Sequence, residues 1–458
     1  MAIARKVIKT KNALPDVPES PQPTAADVQA LAARTGEPAW VTERRMSALE
    51  TFNALPMPTL NDEAWRRTDI RPYAWHTVVP GAVSANGYDK REIPAELLKP
   101  LGGEQDGGLI VLTAGETTTA TLQPEIAAQG VVFADMRSAW QKHPAILEQY
   151  LDTAVRPDEG KFAALAEVLA DNGVLVYVPA GVEVVQPLHS VIYSLKKAQF
   201  SRILVVAEAG AKLTFVMELA SPEDATEPHL YGAIVEVLVG EGADVRFIEL
   251  QSLGKAAWNI SHERSKVAKD ANLDWIFSAI GSKLTKSFME LNLEGDNAVG
   301  RMSGFYFAEG DQHLDHDTQQ NHKALHTTSD LLFKGALRDE SRSVWQGMIY
   351  VAPGAQKTDG YQANRNLVLS KKARADSIPG LEIMADDVRC THGATVGKLE
   401  EEHIFYLMAR GIDRATAERV VVDGFFDPIM QRIPFDDVRE RLKNIVDMKM
   451  SQGVSSSN

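Results

Sequence analysis

The sequence predicts a mainly β protein, a solenoid of stacked coils held between two helical segments. Three observations predict it. From Val174 to about Gly397, Val, Ile, Leu, Phe and Tyr alternate with polar residues between Gly, Asn and Asp turns, the period of strands. One phrase recurs in that stretch, as VPAGVEVVQP, AEAGAKLTFV, GEGADVRFIE, KDANLDWIFS and GDNAVGRMSG. Its turn residues Gly181, Gly210, Gly242, Asn272 and Asn297 lie 29, 32, 30 and 25 residues apart, a repeat length suited to stacked coils. An antiparallel sandwich of evenly spaced hairpins fits the same spacing. The solenoid is preferred because each coil buries one strand face against its neighbours and tolerates variable corners.

The flanks read differently. Residues 1–24 are rich in Pro, Lys and polar residues without apolar periodicity, and are expected to be a mobile lead-in. Residues 25–171 are expected to be mostly helical: Val28, Leu31 and Ala32, then Trp40, Val41, Met46, Leu49 and Phe52, recur at three-to-four spacing, punctuated by Pro38 and Pro56. Short apolar runs at 109–113 and 131–133 interrupt this pattern before AWQKHPAILEQYL and GKFAALAEVLADNG resume it. The β core is expected over 172–396.

Beyond it, 397–450 reads as three short helices, the first closed by Gly411 and the second opened by Asp413, with Pro434 before the third. Phe405, Leu407, Met408, Val420, Val421, Phe425 and Phe426 exceed what a short helical appendage buries by itself, which marks a partner surface. The tail 451–458, SQGVSSSN, is expected to be disordered.

Composition excludes several functions. The net charge of -14 over 458 residues argues against general binding to nucleic-acid backbones, which needs clustered Lys and Arg. One cysteine permits no intrachain disulfide and fits a reducing cytoplasm. The start MAIARKVIKTKN leads into ALPDVPESPQP without an apolar run, so no signal peptide and no membrane anchor are expected. No G-x-x-x-x-G-K-[ST] occurs, and GGEQDGG at 102–108 is neither a P-loop nor a dinucleotide fingerprint. Nucleotide chemistry, if any, is expected from another chain.

Two places carry ligand chemistry. In DQHLDHDTQQNHKALH, His313, His316, His322 and His326 alternate with carboxylates; these are possible iron or zinc ligands, but a hydrogen-bonded polar coil is the preferred reading. On an extended strand His322 and His326 would share a face, with His316 beyond a bend. In DDVRCTHGATVG, residues 386–397, the strand period puts Cys390 and His392 on one face. Two donors do not complete a metal centre or a cluster, so further ligands would come from elsewhere, a partner chain being the natural source. A buried structural cysteine remains the simpler alternative.

LEIMADDVRCTHGATVGKLEEEHIFYLMARGI closely resembles the C-terminal signature of the SufD branch of the SufB/SufD family, in the SUF machinery of iron-sulfur cluster assembly; GAQKTDGYQANRNLVLS and NDEAWRRTDIRPY resemble its earlier segments. SufB-like chains carry Glu where Gly393 stands and a cysteine where Ala373 stands, so both positions favour the SufD branch. The resemblance implies a right-handed parallel β-helix between helical domains, and a non-catalytic subunit with no nucleotide site of its own. It also implies pairing with a SufB-like scaffold, binding of a SufC-like ATPase through the C-terminal helices, and a homodimer in isolation. By the resemblance His392, with Cys390 as its neighbour, inherits a role in holding transient iron or an iron-sulfur cluster shared with SufB. The alternatives are a SufB-like complete scaffold and, from the acidic runs, a solenoid acting on polysaccharides.

Overall fold

The computed structural model describes residues 14–78, 92–101 and 104–451. Helices α1 (Ala25–Thr35) and α2 (Ala39–Ala54) come first. They are followed by β1 (Gly108–Thr113), β2 (Glu116–Leu122), α3 (Pro124–Ala127), β3 (Val132–Asp135), α4 (Met136–Lys142), α5 (Pro144–Tyr150) and α6 (Lys161–Leu169). Strands then run unbroken by helix: β4 (Asn172–Val178), β5 (Leu188–Tyr193), β6 (Ala198–Ala207), β7 (Lys212–Ala220), β8 (His229–Val239), β9 (Asp244–Ser252), β10 (Ala257–Val267) and β11 (Asn272–Ala279). The series continues with β12 (Leu284–Leu293), β13 (Val299–Ala308), β14 (His313–His322), β15 (Thr328–Leu337), β16 (Arg342–Val351), β17 (Asp359–Val368), β18 (Arg374–Ile383) and β19 (Arg389–Gly397). Helices α7 (Glu401–Met408), α8 (Arg414–Met430) and α9 (Asp436–Ser451) end the described chain.

The strands deal alternately into two sheets. One has the order β19-β17-β15-β13-β11-β9-β7-β5-β1-β2, the other β18-β16-β14-β12-β10-β8-β6-β4-β3. Every neighbouring pair from β4 onward is parallel and joins strands two apart in sequence, so each coil contributes one strand to each sheet. This is a parallel β-helix and not the antiparallel sandwich. Its lumen is packed by inward residues in register, such as Phe215, Phe247 and Trp275 on three successive coils, with Phe215 and Phe247 stacked at 5.7 Å.

The repeat seen in the sequence is a column of left-handed corner residues. Gly181, Gly210, Gly242, Asp270, Asn297, His326 and Lys357 all have positive φ, and each donates its N–H one coil onward, Gly181 to Ala209, Gly242 to Lys269, Asn297 to Leu325 and His326 to Gln356. Gly is favoured where no side chain opposes that conformation, and Asn or Asp come next. Asn272, expected to be a corner, opens β11 instead; Asp270 holds the corner. Both polar residues fit a turn, and composition does not tell which of them turns.

Helices α1 to α6 make up most of the regular structure described in 25–171, and three short strands join them. The Leu109–Leu112 run forms β1, parallel to β5, with β2 antiparallel beside it, and β3 closes the other sheet against β4. An apolar run facing an open first coil is buried better as a strand than as a helix. Of the expected mobile lead-in, residues 1–13 lie outside the described residues, while Pro18, Pro21 and Pro23 are buried, so the second half is held. Most of the expected tail, 452–458, lies outside them too.

Helices cover both outer faces. Helix α6, buried at all nine residues, packs with α2 and the stretch around Trp65, Tyr73 and Trp75 on the β4 sheet, against Phe200, Ile234 and Trp258. Helices α8 and α9 lie on the β5 sheet, where Val422, Phe426, Ile429, Leu442 and Val446 meet Val216, Ile248, Ile276, Phe305 and Phe307. The C-terminal helices are therefore part of the folded body and not a loose appendage. None of the described helices is long and apolar enough to cross a membrane.

Candidate functional site: the open end of the β-helix

The coils end without a cap of their own: among the described residues, β18 and β19 have a neighbouring strand on one side only. Most of β18 and β19 is exposed or half-buried, and Leu381, Ile383, Met384 and Val396 present apolar surface there. An uncovered edge of this kind pairs with another chain unless it is blocked.

Cys390 and His392 sit on β19. In register, Cys390 lies over Gly360 and His392 over the fully buried Gln362, both on the lumen side of β17. The expectation that the two side chains share a face is met by the strand's alternation. They differ in environment. Cys390 is half-buried against Ile349, Val351 and Ala355, and burial pushes its thiol up from the ordinary value; His392 is exposed. Arg389, on the outward side, binds the Asp359 carboxylate across the ladder and holds it below the usual range. Among the described residues no three His, Cys, Asp or Glu side chains converge as a metal would require.

Gly393 and Ala373, singled out in the sequence, differ in their surroundings. A Cβ on Gly393 would meet nothing within 4 Å, so packing does not impose glycine there. Ala373 is partly buried against the lumen core.

The four clustered histidines do not assemble. Strand β14 stops at His322, and His326 is a corner residue with φ 57°, so the expected shared face is absent. His316 and His322 instead share the lumen side of an unbent strand. His316 stacks on Tyr306 at 5.3 Å beside Phe277; burial lowers its pKa to about 4, and both ring nitrogens lack a partner. His313 faces outward to Thr68 Oγ1 at 2.9 Å. Beside it the fully buried Lys286 Nζ lies 3.0 Å from Asp315 Oδ1 and 4.7 Å from the Phe288 ring. Sequence reading missed this ion pair and the lumenal Gln320, Gln362 and Asn364. Strand β14, HLDHDTQQNH, has polar residues on both faces, so period-2 apolar alternation does not reveal which are inside.

On the partner surface the expected residues divide. Phe405 is 71 % and Met408 43 % exposed on α7, with Tyr406 between them and Val420 exposed on α8. Leu407, Val421 and Phe425 are half-buried. Phe426 is a correction: it is 1 % exposed, with its ring 5.6 Å from Phe305, because α8 docks that edge on the sheet.

Residues 191–425 match the family described as "SUF system FeS cluster assembly, SufBD core domain", and residues 106–189 match "SufBD protein N-terminal region". The chain is 29 % identical to the iron-sulfur cluster assembly protein SufD of Bacillus subtilis, over 90 % of this chain and 95 % of that one. It is equally 29 % identical to SufB of the same organism, over 89 % of each. A SufBD family protein of Staphylococcus saprophyticus is 29 % identical over 87 % of each chain. With the core match spanning more than half of its length, the chain belongs to the SufB/SufD family of iron-sulfur cluster assembly proteins of the SUF system.

Proposed function

We propose that this chain acts as the SufD-type subunit of a SUF assembly complex, a scaffold without catalytic activity that completes its site only against a SufB-type partner. The observation that carries the reading is the open coil end, where exposed Leu381, Ile383, Met384 and Val396 adjoin His392 and the half-buried Cys390. Two donors on an uncovered strand edge are a half-site, and a second chain paired there would supply the remaining ligands for transient iron or a nascent cluster.

The exposed Phe405, Tyr406 and Met408 on α7 form the surface assigned to a SufC-type ATPase, which supplies the nucleotide site that this sequence lacks. Gly393 and Ala373, in place of a carboxylate and a thiol, support the SufD branch, because a complete scaffold needs more donors of that kind. Purification from native cells tests the reading: a SufB-type scaffold and an ATPase should co-purify. Reconstitution of a stable cluster on the lone chain would instead favour the complete-scaffold reading.

A further inference from the structure

The lumen of the middle coils encloses two carboxyl groups with no base beside them. Glu249 points inward from β9 and Glu263 from β10, strands of opposite sheets, and they are 3 % and 0 % exposed. In register beside them stand Met217 and Phe277 in one sheet and Val235 and Met289 in the other. The other inward residues of β7 to β12 carry no charge, so among the described residues Tyr231 of β8 is the one further titratable group that faces the pair. Arg264 follows Glu263 on β10 but faces outward, bound to Glu159 and Glu290.

The oxygens of the pair show what joins them. The two carboxyls lie within hydrogen-bonding reach of each other, yet Glu249 Oε2 and Glu263 Oε2 are each buried without a donor. Two carboxylates have no hydrogen to offer one another, whereas one proton between them satisfies both oxygens. Its owner follows from the neighbours. Ser261 Oγ donates to Glu263 Oε1, and Ser287 Oγ lies 3.0 Å from Ser261 Oγ to support that hydroxyl in turn. Glu263 already receives a hydroxyl proton and is the acceptor, so Glu249 carries the acid proton.

Electrostatics agree with that placement. Burial raises Glu249 well above the usual carboxylate range, and the charge of Glu263 adds to it. Burial raises Glu263 as well, but the bonds from Ser261 and Glu249 and the charge of Arg264 oppose the rise. Burial also raises the Tyr231 phenol, which therefore stays neutral. Two charges of one sign in an enclosed lumen would be costly, and keeping one proton avoids that state.

We propose that Glu249 and Glu263 share one proton across the lumen and form a pH-sensitive latch on the middle coils, closed while the proton is held and loosened when it leaves. In the closed form the Glu249 carboxylic acid donates to the Glu263 carboxylate. In the loosened form both groups are carboxylates, their repulsion acts between the two sheets, and β9 and β10 open more readily; the proton has gone to solvent through that opening. The pair keeps in the fold a proton that free glutamates release, so its contribution is complete below the unfolded value of about 4.5 and is lost as pH rises through the folded value. The latch lies within this chain alone and goes beyond the assembly reading.

The test uses the full-length chain in heavy water. In neutral solution its infrared spectrum should contain the C=O stretching band of a protonated carboxyl, and Glu249→Gln, whose amide keeps the donated hydrogen bond, should reduce that band by one group. Hydrogen exchange over 244–267, corrected for intrinsic rates, should lose protection in the parent by up to about tenfold per pH unit above about 4.5, the slope of one proton. Glu249→Gln should be shallower by that factor, and the double variant Glu249→Gln with Glu263→Gln should be at least as protected as the parent in alkaline solution. The proposal is overturned if the parent shows no acid band in neutral solution, or if band and slope survive Glu249→Gln unchanged. A parent without the band, whose protection rises with added sodium, would show that a cation holds two carboxylates, which also overturns it. The parent's band is read without any variant, so a variant that fails to fold does not shelter the proposal.

Discussion

Arg441 of α9 donates to the Glu218 carboxylate at 2.6 Å, and the other oxygen of that carboxylate lies 3.2 Å from His189 Nε2. His189 is fully buried, with Asp106 3.4 Å from its Nδ1. The C-terminal helix, the β5 sheet and the segment before β1 are thereby joined by one chain of charges.

That chain predicts a pH window for α9. Burial alone would lower the His189 pKa, but Asp106 and Glu218 outweigh it and the net shift is upward. Its contribution is therefore complete below the unfolded value of about 6.5 and lost as pH rises through the folded value. Glu218 is shifted the other way: His189 and Arg441 outweigh burial and lower it, so its share is present above about 4.5 and lost as pH falls through the folded value. Hydrogen exchange of 436–451, corrected for intrinsic rates, should show greatest protection in mildly acidic solution, and Arg441→Ala should reduce it. Protection that rises steadily with pH would contradict this.

The buried Lys286–Asp315 pair predicts an asymmetry. Lys286→Ala strands Asp315 in a fully buried position and should cost about 3–5 kcal/mol in a denaturant melt. Replacing both with apolar residues of similar size should recover most of that loss. A single variant as stable as the parent would show that water reaches the pair.

Helix surfaces give a matched contrast. Phe405→Ala combined with Met408→Ala should leave the thermal midpoint unchanged and reduce recovery of the ATPase. Phe426→Ala removes a ring packed on Phe305 and should destabilise by about 3–5 kcal/mol. Deleting 398–458 bares Phe305, Phe307 and Ile276, so that truncation tests folding as much as partner binding. Retained ATPase with the double variant would move its site off α7.

The coils were legible in the sequence because their corners need left-handed backbone, which concentrates Gly and Asn at one spacing, as at Gly181, Gly210, Gly242 and Asn297. His326 and Lys357 hold the same corner and were not recognised, since hydrogen bonding along the stack enforces a conformation that their composition does not advertise. Cys390 and His392 could be placed on one face by alternation alone. His322 and Cys390 both lie beside Gly360 but on strands of different sheets, and alternation within one strand does not reveal that neighbourhood. Phe426 was misplaced for a related reason: a helix's apolar surplus does not say whether its own sheet or another protein covers it.

The most direct measurement is iron and acid-labile sulfide per purified SUF complex, alongside its thermal midpoint, for His392→Ala. His392 is exposed on the edge strand, so its loss should leave assembly and midpoint nearly unchanged while iron and sulfide fall, with Cys390→Ser milder in effect. A lowered midpoint with normal iron would make His392 a structural residue and contradict the account.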